Sequence, residues 1–89
     1  MRILLAEDEI ALAKALVKIF EANKYSIDAV HDGQDALDYL EAGNYDVAVL
    51  DIMMPKVDGI TVLKKLRASG SDMPVLMLTA KSEIDDKVL

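Results

Sequence analysis

Val47-Ala48-Val49-Leu50-Asp51 is an apolar run stopped by an acid. A run this short, apolar throughout and bounded by turn signals, suits a strand buried on both faces. The same pattern stands at two other places. Ile3-Leu4-Leu5-Ala6 leads into Glu7-Asp8-Glu9, and Val75-Leu76-Met77-Leu78 leads into Thr79-Ala80. Between these runs the periodicity changes. After Asp8, Leu12, Leu16 and Ile19 or Phe20 recur at helical spacing, with Lys14, Lys18 and Glu21 between them. Asn23-Lys24 ends that helix. Tyr25 to Val30 alternates and is rich in strand formers. Asp32-Gly33 reads as a turn. Ala36, Leu37 and Leu40 mark a short helix that Gly43 stops. After Asp51 comes a loop with Pro55. Ile60, Leu63 and Leu66 give the next helix, closed by Gly70. Ser82, three residues before Asp85, is a capping-box-like start to one more helix, running to Leu89. The predicted order is β-α-β-α-β-α-β and the beginning of an α. Strict alternation of this kind specifies an α/β fold with a parallel sheet and helices on its faces.

Eighty-nine residues hold one small domain. The chain is 53% hydrophobic, which argues against disorder. Its 10 basic and 16 acidic residues give a net charge of −6, a poor match to nucleic acid or to an anionic membrane surface. It has no cysteine, which excludes disulfides, thiolate metal sites and thiol nucleophiles. No apolar run approaches the roughly 18 to 20 residues of a membrane helix, and Ile3 to Ala6 is too short for a signal-peptide core. The expectation is one acidic, cytoplasmic domain.

In open parallel sheets, ligands sit at the carboxyl ends of strands near the point where strand order reverses. Here those ends carry Glu7-Asp8-Glu9, Asp51 and Thr79. If the strands are neighbours, carboxylates and a hydroxyl meet at one rim. Clustered carboxylates repel one another, and a hard divalent cation offsets this. Magnesium prefers such oxygen ligands, together with water and phosphate oxygens. A carboxylate is also a nucleophile toward phosphoryl groups, giving an aspartyl-phosphate. Each residue alone has a plainer role. Glu7-Asp8 could be a solvated helix start, Asp51 a turn residue, Thr79 a strand-end hydroxyl and His31 a surface loop residue. The five methionines suit core or loop packing. It is their convergence that favours a site.

These residues resemble a known family, the receiver domain of bacterial response regulators. Ile-Leu-Leu-Ala-Glu-Asp-Glu is similar to its acidic pair at Glu7 and Asp8. Asp51 to Gly59 reads Asp-Ile-Met-Met-Pro-Lys-Val-Asp-Gly, similar to its Asp-x-x-x-Pro-x-x-Asp-Gly loop. Pro-Val-Leu-Met-Leu-Thr-Ala is similar to its fourth strand and switch hydroxyl at Thr79. Leu-Thr-Ala-Lys looks most like the winged-helix transcription-factor subfamily. The resemblance implies a flavodoxin-like sheet of order 2-1-3-4-5, with the second strand and His31 remote from the acids. It implies Asp51 as phosphoacceptor, and magnesium held by Asp8, Glu7, Asp51 and the backbone carbonyl of Met53. Thr79 would contact the phosphoryl group and relay the switch. Pro55 and Gly59 would shape the loop, and small Ala80 would leave room above Asp51. A histidine kinase would be the donor, and the domain would be a self-phosphorylating acceptor rather than a turnover enzyme.

The family pattern continues beyond what residues 1–89 contain. The fifth strand, its lysine and aromatic residue, and the fifth helix have no counterpart, so the expected fold is an incomplete receiver without an effector domain. Lys81 and Lys56 are near the site in sequence, but neither occupies the matching strand end. A fourth strand at the sheet edge invites pairing with another chain, so self-association is expected. Two alternatives accompany this function. One is a non-signalling receiver fragment that acts only as a folding or assembly unit. The other is an aspartate-nucleophile phosphohydrolase, which typically has a second acid where this chain has Met53.

Overall fold

The structure is a computed structural model that describes residues 1–78. Four strands and three helices alternate: β1 (Arg2–Ala6), α1 (Ile10–Ala22), β2 (Ser26–Val30), α2 (Gly33–Ala42), β3 (Val47–Asp51), α3 (Gly59–Ala68) and β4 (Val75–Leu78). The strands form one parallel sheet of order β2-β1-β3-β4. The order reverses between β1 and β3, whose carboxyl ends carry Glu7-Asp8 and Asp51. The predicted fourth helix start at Ser82 and Asp85 lies outside the described residues.

The unbroken apolar runs are explained by helices on both faces. Ile3, Leu5 and Val49 point toward α1, where they pack with Ala13, Leu16, Val17 and Phe20. Leu4, Ala6, Ala48 and Leu50 point the other way, against Ala36 and Leu40 of α2 and Val62 and Leu66 of α3. Leu4, Leu5 and Leu50 are completely enclosed. Burial of each contributes about 1.5–3 kcal/mol, so the strands that carry the acids are the most firmly held part of the fold.

The helices differ from the sequence expectation in two respects. Asp32-Gly33 is not a free turn. Asp32 is the N-cap of α2, accepting from Asp35 N–H at 2.8 Å, and Gly33 is the first helical residue. Asp58 caps α3 in the same way, through Thr61 N–H at 2.8 Å. The buried stripe of α3 is also rotated from the predicted one. Gly59, Val62 and Leu66 face the core, whereas Ile60 is 41% exposed. Position 59 carries no side chain, so hydrophobicity could not mark it as the inward position. Among the described residues, β4 has a single ladder partner, β3, and Leu76 on it is 58% exposed.

Candidate acid site at the sheet switch point

The site starts with two strands that end side by side. Ala6 of β1 is in register with Leu50 of β3, so the next residue on each strand is an acid at the same rim. Glu7 still joins the sheet, donating its N–H to Val30 O at 3.0 Å. This ladder bond draws its side chain into the sheet end, and Glu7 is only 3% exposed. Asp51 closes β3 and is 8% exposed. Asp8 follows Glu7 at the surface. One carboxylate oxygen from each of Glu7, Asp8 and Asp51 lies within 4.8 Å of the others. The convergence expected of these three residues is therefore present.

Each buried acid has a backbone donor. Glu9 N–H donates to Glu7 Oε2 at 3.0 Å, and Met53 N–H donates to Asp51 Oδ1 at 3.3 Å. These bonds favour the charged forms, but burial outweighs them. Burial pushes Glu7 up to about 7, with the adjacent Asp51 adding to the effect. Asp51 is raised as well, mainly by burial. Both acids are thus pushed toward their protonated forms, chiefly by burial.

This donor set consists of oxygen alone, is negatively charged, partly enclosed and open to solvent at Asp8. It has no sulfur or imidazole to favour a softer metal. A hard cation fits these residues, because it would offset the repulsion among their clustered carboxylates.

Gly59 frames the loop beyond Asp51. Its N–H donates to Ile52 O at 2.9 Å, and a Cβ there would overlap the Asp51 carbonyl oxygen and stand 3.0 Å from Ile52 Cα. The glycine is thus required by the close approach of α3 to the end of β3. A surface cavity of about 680 Å³ lies beyond this loop, lined in part by Met53, Ile60 and Lys64. None of the three acids lines it, although Met53, which donates to Asp51, borders both.

Several residues differ from their expected places. His31 is not remote. β2 pairs directly with β1, and His31 Nδ1 stands 3.0 Å from the Glu7 carbonyl oxygen. Its ring thus supports the backbone of an acid residue. The strand order that the resemblance implies already made β2 a neighbour of β1. Lys56 turns toward α2, with Nζ 3.5 Å from Asp32 Oδ2. Met53 contributes a backbone N–H while its side chain is 60% exposed. Thr79, Ala80 and Lys81 lie outside the described residues. The nearest described backbone is Leu78, whose carbonyl accepts from Ile52 N–H at 2.9 Å.

A parallel sheet with three acids at its switch point defines a class, and comparison with known proteins agrees. The sequence profile described as the response regulator receiver domain matches residues 3–89. The chain belongs to that family. It is 46% identical over 88 residues to the transcriptional regulatory protein DltR of Streptococcus agalactiae, and 41% identical over 88 residues to the response regulator MprA of Mycobacterium avium. Each alignment covers 99% of this chain and 39% of the relative, so the chain spans well under half of either regulator. Among solved structures, the Francisella response regulator 1452 receiver domain superposes with a TM-score of 0.89 at 37% identity, over 98% of this chain and 72% of that one. TrrA of Thermotoga maritima, solved in complex with Mg2+ and BeF, gives 0.86 at 32% identity, over 97% and 76%. Among the described residues, no helix is long and apolar enough to cross a membrane.

Proposed function

We propose that residues 1–89 act as one receiver unit in which Asp51 accepts a phosphoryl group from the phosphohistidine of a histidine kinase. The single observation that carries this is the meeting of Glu7, Asp8 and Asp51 within 4.8 Å at the switch point of a receiver-family sheet. In the transfer, an Asp51 carboxylate oxygen forms the new bond to phosphorus. The phosphorus–nitrogen bond of the donor breaks, and its electron pair stays on the imidazole. Asp51 becomes an acyl phosphate. It is consumed one for one, so the chain acts as an acceptor and not as a turnover enzyme.

Glu7, Asp8, Asp51 and the Met53 carbonyl would hold Mg2+, which would supply positive charge beside the transferring group. That TrrA, a relative, was solved in complex with Mg2+ and BeF supports a magnesium site in this chain. The chain's own residues do the rest. Met53 N–H restrains one Asp51 oxygen. Glu9 N–H keeps Glu7 aimed at the rim. The hydroxyl of Thr79 would donate to a phosphoryl oxygen and pass the change onward. The net charge of −6 supports a protein partner over nucleic acid or membrane for these residues, and the lack of cysteine suits the cytoplasm. Leu76, 58% exposed on a strand with one described ladder partner, supports self-association through β4.

The test is intact mass after incubation with acetyl phosphate and MgCl2. A gain of one phosphoryl group, lost on adding EDTA during the incubation and absent in Asp51→Asn, is the expected result. No gain in the wild type, or an equal gain in Asp51→Asn, refutes the assignment.

A further inference from the structure

The segment between Asp51 and α3 is held from two sides. On one side Gly59 docks α3 against Asp51 and Ile52. On the other the segment passes over the first turn of α2. Gly33 N–H donates to Pro55 O at 3.4 Å, and Val57 N–H donates to the same carbonyl at 2.8 Å. Lys56, between them, has φ 69°, a left-handed conformation that a side-chain-bearing residue adopts only under constraint. Its ammonium faces Asp32, the N-cap of α2. The contact with Gly33 is the tightest. A Cβ at Gly33 would overlap the Val57 carbonyl oxygen and come 2.7 Å from Val57 Cβ. The oxygen belongs to the backbone, so it cannot rotate aside.

We infer that Gly33 is a positioning residue for the acid site. Its bare Cα lets the start of α2 seat on the Val57 carbonyl, which fixes the path of residues 52–58 and so the placement of Met53 beside Asp51. The inference rests on the Mg2+ site proposed above, because Met53 matters to the metal only through its backbone. The Asp32–Lys56 ion pair is too exposed to carry the effect, since such pairs are screened by solvent. The steric contact is not screened. Any side chain at position 33 must lift residues 55–57, and a loop displaced by a fraction of an ångström holds a metal poorly.

The opposite end of α2 supplies a matched control. Gly43 is also crowded, by the ring of Tyr45 and the Tyr39 carbonyl, but it sits at the helix C-cap beyond the amino end of β3. Gly43→Ala should therefore cost stability without touching the acid site. Amide NMR spectra of the 15N-labelled chain would be recorded without metal and through a MgCl2 titration. In metal-free Gly33→Ala, the amides of residues 52–59 should shift, and the Mg2+ dissociation constant should rise about tenfold, the usual effect of disturbing a residue that supports metal ligands. Gly43→Ala should show neither change. An unchanged Mg2+ constant in folded Gly33→Ala, or an equal loss in Gly43→Ala, overturns the inference.

If Gly33→Ala fails to fold, the wild type decides. Mg2+ should then shift the Gly33 amide together with those of Glu7 to Glu9, and a response at 7–9 that leaves Gly33 unmoved overturns the inference. No Mg2+ response at 7–9 in the wild type is the failure of the metal site itself. The metal-free spectra then still judge the clasp, through the movement of 52–59 in Gly33→Ala or its absence.

Discussion

Removing the Asp51 charge should stabilise the metal-free protein at pH 8 and leave it unimproved at pH 5. At pH 8 Glu7, with its pKa at about 7, is mostly ionised, and it faces Asp51 with oxygens within 4.8 Å. Two unit charges at that separation repel by about 3.5 kcal/mol at an effective dielectric of 20. Asp51→Asn abolishes that repulsion. It also weakens the bond from Met53 N–H, because a charged acceptor becomes a neutral amide, a loss of about 1 to 2 kcal/mol. The net gain at pH 8 is then about 1.5–2.5 kcal/mol, and each kcal/mol moves the melting temperature by roughly 4–8 °C for a domain of this size. At pH 5 Glu7 already carries its proton, so the repulsion is gone and only the weakened bond remains. The variant should then be equal to the wild type or less stable. Urea unfolding followed by far-UV circular dichroism, in EDTA at both pH values, reads the difference. A variant less stable than wild type at pH 8, or a gap of the same size at both pH values, would refute the electrostatic account of this site.

Four further outcomes follow from the same geometry. The metal-free wild type should lose stability as pH rises from about 5 through 7: the folded Glu7 pKa lies above its ordinary 4.5, so the native state binds more protons than the unfolded chain in that window. Melting curves across that range check it, and a curve rising from pH 5 to 7.5 contradicts it. Millimolar MgCl2 should raise the melting temperature at pH 7.5 by binding the native state, and do so much less at pH 5, where protons compete for Glu7; equal shifts at both pH values would place the metal elsewhere. Gly59→Ala should destabilise by about 1–3 kcal/mol despite alanine's better helix propensity, since its Cβ meets the Asp51 backbone. Leu50→Ala should cost about 2–5 kcal/mol, as for other enclosed leucines. Urea midpoints read both, and a neutral Gly59→Ala would mean that α3 docks less tightly than its contacts imply.

What could be read from residues 1–78 was whatever depends on local pattern. The runs Ile3–Ala6, Val47–Leu50 and Val75–Leu78 are apolar without alternation, a pattern that suits buried parallel strands, and the first two are covered on both faces. They became β1, β3 and β4. The meeting of Glu7 and Asp51 was legible because each comes directly after such an apolar run, so a parallel register alone brings them together. The motifs added the family, which the comparisons confirm.

Other features had no local signal. Gly33 looked like a turn residue, since its importance lies in the Val57 carbonyl that crosses it. Lys56 looked like a cation near the site, until the loop turned it toward Asp32. His31 looked remote, though β2 lies against β1 and sets its ring on the Glu7 carbonyl. The inward stripe of α3 begins at a glycine, which hydrophobic periodicity does not register. The elevated proton affinity of Glu7 comes mainly from burial at the sheet end, with Asp51 of β3 adding to it. Strands and acids follow from the order of residues along the backbone. The Gly33–Val57 contact, the ion pair and the raised proton affinity of Glu7 arise only where segments distant in sequence meet, because steric contact and desolvation depend on distance in space.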